Sequence, residues 1–302
     1  MRPFVIHDRR FGALVIGSSL LEKLYTGCRW AEGPAYFPAG RYVVWSDIPN
    51  DRILRYDETD GSVSVFREPA FNSNGNTTDA QGRLVTAEHR GRRISRTEHN
   101  GTITVLADRF EGKRFNSPND VVVKSDGSIW FTDPTYGIDS DYEGDKAESE
   151  IGASNVYRID AKSGAITIVV RDRVRPNGLA FSPDEKILYI ADTGRSHVPD
   201  LPATLTAYTV NADGASVGDS KLFATCPEGV FDGFRCDTDG NVWTSAGRNV
   251  FCYASDGMHI GTIPVPELVA NVCFGGPKRN RLYICGQTSL YSLYTKARGT
   301  GI

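Results

Sequence analysis

Six polar residues share one offset from a turn. Glu32, Asn74, Asn119, Asn177, Asp232 and Asn271 each stand eight positions before a turn residue: Gly40, Gly82, Gly127, Glu185, Gly240 and Arg279. All six carry a carboxylate or a side-chain amide, so all six offer oxygen. Asn and Asp are also ordinary turn residues. A turn position would accept Gly or Ser as readily, however, and none of the six has them. Oxygen ligands without imidazole or thiolate suit a hard divalent cation. Calcium is the first choice, with magnesium or manganese as substitutes and zinc the poorest match. Glu32 and Asp232 would balance the double charge, and the amides of Asn119 and Asn177 would add neutral oxygens. Two carboxylates placed together without a cation would only repel each other.

The elements around these residues repeat with them. Each polar residue is followed by an apolar strand, a tight turn and a second apolar strand. The second strands are Tyr42–Ser46, Leu84–Ala87, Ile129–Thr132, Leu188–Ala191, Val242–Ser245 and Leu282–Cys285. A third strand follows in every copy and a fourth in five of them. Four antiparallel strands repeated six times predict an all-β, six-bladed β-propeller. The last copy runs out after its third strand, and residues 20–25 supply the missing fourth. That closure removes the open edge between the first and last blades. The chain is read as one propeller domain over residues 1–302, with blades starting near residues 32, 74, 119, 177, 232 and 271. Equivalent positions in the blades lie on one ring, so the six polar residues surround the mouth of the central channel. Trp45, Trp130 and Trp243 hold near-equivalent second-strand positions and predict a packed layer between blades. The longest insertion, residues 137–153, is acidic, and reads as a solvated loop or as a lid over one face.

The segments Ala31-Glu-Gly-Pro34, Asn116-Ser-Pro-Asn-Asp120, Trp130-Phe-Thr-Asp-Pro134, Arg175-Pro-Asn-Gly-Leu-Ala-Phe-Ser-Pro-Asp184 and Asp232-Gly233 resemble the gluconolactonase/regucalcin (senescence marker protein) family. That family includes luciferin-regenerating enzyme and is related to diisopropyl-fluorophosphatase. The likeness runs from about Gly27 onward and is greatest to bacterial gluconolactonases. It implies metal-dependent hydrolysis of a sugar lactone to the aldonic acid. The implied metal ligands are Glu32, Asn177 and Asp232, with Asn119 a ligand or a substrate contact. It also implies that Asp232 takes the proton of the attacking water. Arg114 matches a regucalcin arginine that would bind lactone hydroxyls, but this chain inserts Ser117-Pro118 between the motif's two Asn positions. Asn74 and Asn271 are expected to line the pocket and touch substrate.

His89, after the second strand of blade two, is the other candidate base, although a lone His is more often structural. His197 is a weaker candidate of the same kind. Asp133 and Asp192 end second strands and suit turn capping or support of the site. Tyr136 and Phe231 flank the expected rim, where they would pack on a sugar ring or simply fill the core.

The balance of 34 Lys+Arg against 37 Asp+Glu leaves a net charge of −3, with no basic tract for nucleic acid. Apolar runs are strand-sized, which excludes a membrane-spanning helix. The start of the chain has no apolar signal region, so a cytoplasmic location is expected. The six cysteines form no CxxC pair and are expected as buried free thiols. The alternatives are a phosphoesterase like diisopropyl-fluorophosphatase, using the same cage, and a non-catalytic calcium-binding propeller. The sequence leaves the oligomeric state and the identity of the lactone open.

Overall fold

Strands buried on both faces need a sheet on either side, and a ring of sheets provides one for every blade. The computed structural model, which describes residues 4–300, shows that ring. Blade one is Ala31–Phe37, Tyr42–Asp47, Arg52–Asp57 and Val63–Arg67. Blade two is Ser73–Thr78, Leu84–Glu88, Arg93–Thr97 and Ile103–Ala107, and blade three is Val121–Val123, Ile129–Asp133, Asn155–Ile159 and Ile166–Val170. Blade four is Pro176–Phe181, Ile187–Asp192, Thr204–Val210 and Val217–Thr225. Blade five is Phe234–Cys236, Val242–Ala246, Asn249–Tyr253 and His259–Pro264. Blade six takes Val269–Gly275, Arg281–Gly286 and Ser289–Tyr294 from the end of the chain and Glu22–Thr26 from its beginning. The closing strand therefore starts and ends slightly later than the expected 20–25.

Burial follows position in the blade. The inner and second strands of blade one are buried almost throughout, while its outer strand is half open. The three tryptophans are fully buried between blades, as their spacing predicts. Trp45 packs with Tyr36, Leu54, Tyr283 and Leu290, joining blades one and six. Trp130 packs with Leu179, Leu188 and Ile190, joining blades three and four. Trp243 packs with Val272, Leu282 and Ile284, joining blades five and six. All six cysteines are buried and unpaired.

Two features near the N-terminus have no counterpart in the repeat. Val5–Ile6 pairs with residues 261 and 262 and covers the outer edge of blade five. The short helix Arg9–Leu14 is capped by Asp8, whose carboxylate accepts from the Arg10 N–H. It buries Phe11 against Gly261, where a Cβ would fall 2.0 Å from the Phe11 ring. Six residues are too few for a visible helical period, so the helix had no sequence signal.

A chain starting at Gly27 loses the outer strand of blade six and the cover on blade five. Its melting temperature is expected to fall by roughly 10 °C or more, and self-association through the bared edges to rise. Calorimetry and light scattering against the full chain check this, and a truncated protein as stable and as dispersed as the full chain contradicts it.

Candidate functional site

The ring closes because each inner strand touches the next at one level. Asn271 of blade six donates its side-chain N–H to Glu32 Oε2 of blade one at 2.9 Å. The Gly33 N–H donates to the same oxygen at 2.5 Å. Ser46 of blade one donates its hydroxyl to the Asn74 carbonyl of blade two at 2.8 Å. The Gly75 N–H donates to the Asn119 carbonyl of blade three at 2.7 Å. Thr132 of blade three donates to the Asn177 carbonyl of blade four at 2.7 Å. The Gly233 N–H of blade five donates to the Ala270 carbonyl of blade six at 2.8 Å.

The residue after the polar one makes this approach feasible. A Cβ on Gly178 would lie 2.1 Å from the Asp232 carbonyl oxygen, and one on Gly33 would lie 2.0 Å from that of Asn74. Real contacts are never so short, so only glycine lets neighbouring inner strands meet here. The polar residue begins the inner strand in blades one, two, four and six, and just precedes it in blades three and five.

Carboxylates gather in this ring. Glu32 is buried, and Asp232 keeps part of its surface open to the channel while protein surrounds it. Burial raises the proton affinity of Glu32, with the charge of Asp120 adding to it and the Asn271 hydrogen bond opposing it. Asp232 is raised well above the ordinary Asp value, first by burial and then by the charges of Glu32, Asp120 and Glu143. Asp120, beside Asn119 in the chain, is a third buried carboxylate. Burial raises it as well, opposed by Arg235, whose Nη1 lies 3.5 Å from its Oδ2.

The donor chemistry fits a hard cation. Among the described residues, no three His, Cys, Asp or Glu side chains form a metal-binding group. Two carboxylates with neutral amide oxygens remain, together with like charges whose repulsion a cation would relieve. Asn119 is buried, with its backbone engaged by Thr132 and Gly75.

His89 is fully buried and its two nitrogens face different partners. Nδ1 lies 3.2 Å from the Glu143 carbonyl oxygen, and Nε2 lies 3.2 Å from the Asn74 side-chain nitrogen. A carbonyl can only accept and an amide N–H can only donate, so the proton sits on Nδ1. Nε2 is then occupied in orienting Asn74, which favours a supporting role for the ring. Burial lowers the His89 pKa to about 4, so the ring is neutral near pH 7.

The other candidates make the following contacts. Arg114 donates its backbone N–H to Glu150 Oε2 at 2.9 Å, within a short hairpin of residues 109–114. Asp133 accepts the N–H groups of Asn116 and Ser117, each at 2.9 Å, and ties down the inserted Ser-Pro segment. Asp192 likewise accepts from Val174, Arg175 and Gly194. Phe231 is core, and the Tyr136 hydroxyl lies 2.6 Å from Thr193 Oγ1. His197 Nε2 lies 3.4 Å from Asp139 at the surface.

The insertion is docked rather than free. Its first turn is the short helix Tyr136–Asp139, where Asp139 receives Arg175 Nη1 at 2.7 Å. The loop folds back through Gly137 and Gly144, and a Cβ on Gly144 would meet the Gly137 carbonyl oxygen at 2.1 Å. It returns at Ala153, whose carbonyl accepts from Asn116 at 2.9 Å. Asp120, Arg235 and Glu143 are not among the residues the sequence marks for the site. Asp120 and Val272 stand where the other four blades have Gly after the ring position, and Arg235 and Glu143 carry no sequence signal.

A cavity of about 620 Å3 opens at the opposite mouth, where Phe37, Asp79, Phe181, Glu185 and Phe274 are among its walls. Two of its carboxylates are engaged elsewhere, Asp79 with Arg83 and Glu185 with Ser125.

A family model described as the SMP-30/Gluconolactonase/LRE-like region matches residues 30–288. A gluconolactonase of Zymomonas mobilis is 29% identical over 313 residues, covering 96% of this chain and 85% of that protein. Pentonolactonase XacC of Haloferax volcanii is 29% identical, over 86% of this chain and 82% of that protein. The crystal structure of XC5397, a gluconolactonase of Xanthomonas campestris, superposes with a TM-score of 0.91 at 38% identity, covering 97% of this chain and 94% of that one.

Two outcomes are expected from this geometry. Gly178→Ala forces a Cβ into the Asp232 backbone and is expected to cost about 3 kcal/mol or more, read as a lower urea midpoint. An unchanged midpoint contradicts the close approach. His89 binds protons less readily folded than unfolded, so the unfolded chain holds more protons between pH 6.5 and about 4. Stability from this group is full above pH 6.5 and is lost as pH falls through that window, by roughly 3 kcal/mol. Urea midpoints at pH 7 and 4.5 should therefore drop more for the parent protein than for His89→Gln.

Proposed function

Because the chain belongs to the SMP-30/Gluconolactonase/LRE-like family, we propose that it hydrolyses a sugar lactone to the open aldonic acid at the ring of Glu32, Asn119, Asn177 and Asp232. The observation that carries the proposal is the buried neighbourhood of Glu32, Asp120 and Asp232, in which Asp120 adds to the raised proton affinity of Glu32 and both add to that of Asp232. The gluconolactonase and pentonolactonase activities of its relatives make the chain a lactone-hydrolysing hydrolase.

The four ring residues would hold one divalent cation, with calcium the first choice. When bound, such a cation polarises the lactone carbonyl and stabilises negative charge on its oxygen. Asp232 accepts the proton of the attacking water. It suits that task because part of its surface remains accessible. Glu32 is fixed by Gly33 and Asn271 and does not turn toward other partners. Asn74, oriented by His89, and Asn271 present polar edges to the sugar hydroxyls. Binding these hydroxyls individually would set the choice among aldonolactones.

The test is hydrolysis of glucono-1,5-lactone in a pH-stat, corrected for the spontaneous rate. Chelator-treated protein is expected to lose activity and regain it with calcium, magnesium or manganese. Asp232→Asn is expected to lower kcat by about 100- to 10,000-fold without lowering the melting temperature. Turnover that survives both treatments overturns the proposal. Hydrolysis of a phosphoester in place of every lactone favours the phosphoesterase alternative.

A further inference from the structure

Opening a lactone requires two proton movements, and the ring supplies only one. The attacking water gives up a proton to Asp232. The ring oxygen leaves as an alkoxide, a poor leaving group, and needs a proton from elsewhere. A donor must face the same site, remain protonated near neutral pH and be distinct from the base.

Glu143 meets these conditions. It lies on the blade-three insertion, which packs against His89, the residue that hydrogen-bonds ring member Asn74. Its backbone carbonyl touches His89, and its Oε2 lies 4.0 Å from His89 Nδ1, one residue from ring member Asn74. Its charge acts on both Glu32 and Asp232. Its side chain is mostly buried, at 23% exposure, yet makes no ion pair with Arg or Lys among the described residues. The other insertion carboxylates differ. Asp139 binds Arg175, and Glu150 receives the Arg114 N–H. Burial, with Asp139 adding to it, raises the Glu143 pKa to about 7. The titratable groups facing it are Asp139 on its own loop, His89 of blade two, Glu32 of blade one and Asp232 of blade five.

We propose that Glu143 is the general acid that protonates the leaving ring oxygen, an assignment that rests on the lactonase reading above. The water oxygen bonds to the carbonyl carbon while Asp232 takes the water's proton. The bond between that carbon and the ring oxygen then breaks. Its electron pair stays on the ring oxygen, which receives the Glu143 proton and becomes a hydroxyl. Glu143 regains a proton from Asp232 through the channel water or from solvent. No other reactant is required.

The test separates leaving-group chemistry from structure. Glu143→Gln keeps the backbone carbonyl on His89 and cannot donate a carboxylic proton. On glucono-1,5-lactone its kcat is expected to fall about 100-fold with KM within about threefold. The parent kcat should decline as pH rises through the Glu143 pKa, and the variant should lack that decline. Glu143→Asp should recover part of the rate. On dihydrocoumarin, whose phenoxide leaves without help, Glu143→Gln should stay within about threefold of the parent protein. Equal losses on both substrates, a parental kcat on gluconolactone, or an alkaline limb that persists in the variant overturns the assignment. If the parent protein does not turn over dihydrocoumarin, the alkaline limb decides. Failure of the parent protein to open any lactone overturns the lactonase reading itself.

Discussion

The rest of the structure depends on the close approach of six inner strands at one level of the channel. There the backbone of one blade meets the next, and in four of the six blades a glycine after the polar residue, Gly33, Gly75, Gly178 or Gly233, leaves the space. The approach carries Glu32 and Asp232, two hundred positions apart in the chain, into one electrostatic neighbourhood with Asp120. Charges in such surroundings are costly unless a counter-charge arrives. The blades supply the opposing force. Trp45, Trp130 and Trp243 are buried in separate interfaces and hold the ring shut against the repulsion of its own carboxylates. The hydrophobic packing is structural, and the strain it contains is chemical.

The two sides of the mouth are built differently. The ring is made of hydrogen bonds between neighbouring blades, most of them from a side chain to a backbone or side-chain partner. The covering loop is held by a few polar attachments: Arg175 to Asp139, Asn116 to the Ala153 carbonyl, and His89 to the Glu143 carbonyl. His89 joins the two parts, because one nitrogen faces the loop and the other faces Asn74. A neutral imidazole suits this position, since a charged one would be buried without a carboxylate in direct hydrogen-bonding contact. A residue that resembles a catalytic base in sequence thus serves better as a support.

The opposite mouth shows why volume is a poor guide to chemistry. It holds a cavity of about 620 Å3, but Asp79 and Glu185 there are already paired with neighbouring side chains. Arg235 stands between the two ends, lining that cavity while reaching Asp120. Positive charge is therefore kept behind the ring, on the side away from the loop.

Much of this was legible from the chain. The repeat of strand, turn and strand has a period that survives divergence, so the blades, the closing N-terminal strand and the ring of Glu32, Asn74, Asn119, Asn177, Asp232 and Asn271 followed from spacing alone. Symmetry converts equal positions in a repeat into equal positions in space, and no side-chain detail is needed for that step. What breaks the repeat was not legible. The helix of residues 9–14 is too short to show a period, and the seat of Phe11 on Gly261 joins segments about 250 residues apart. Arg235 gained its meaning only when folding placed it beside Asp120. Glu143 was one acid among six in a loop that looked solvated, and nothing local set it apart. Periodic spacing encodes the ring, so its members can be read from the chain. The placing of the loop's acids emerges only on folding, because an irregular loop is held by contacts with distant residues.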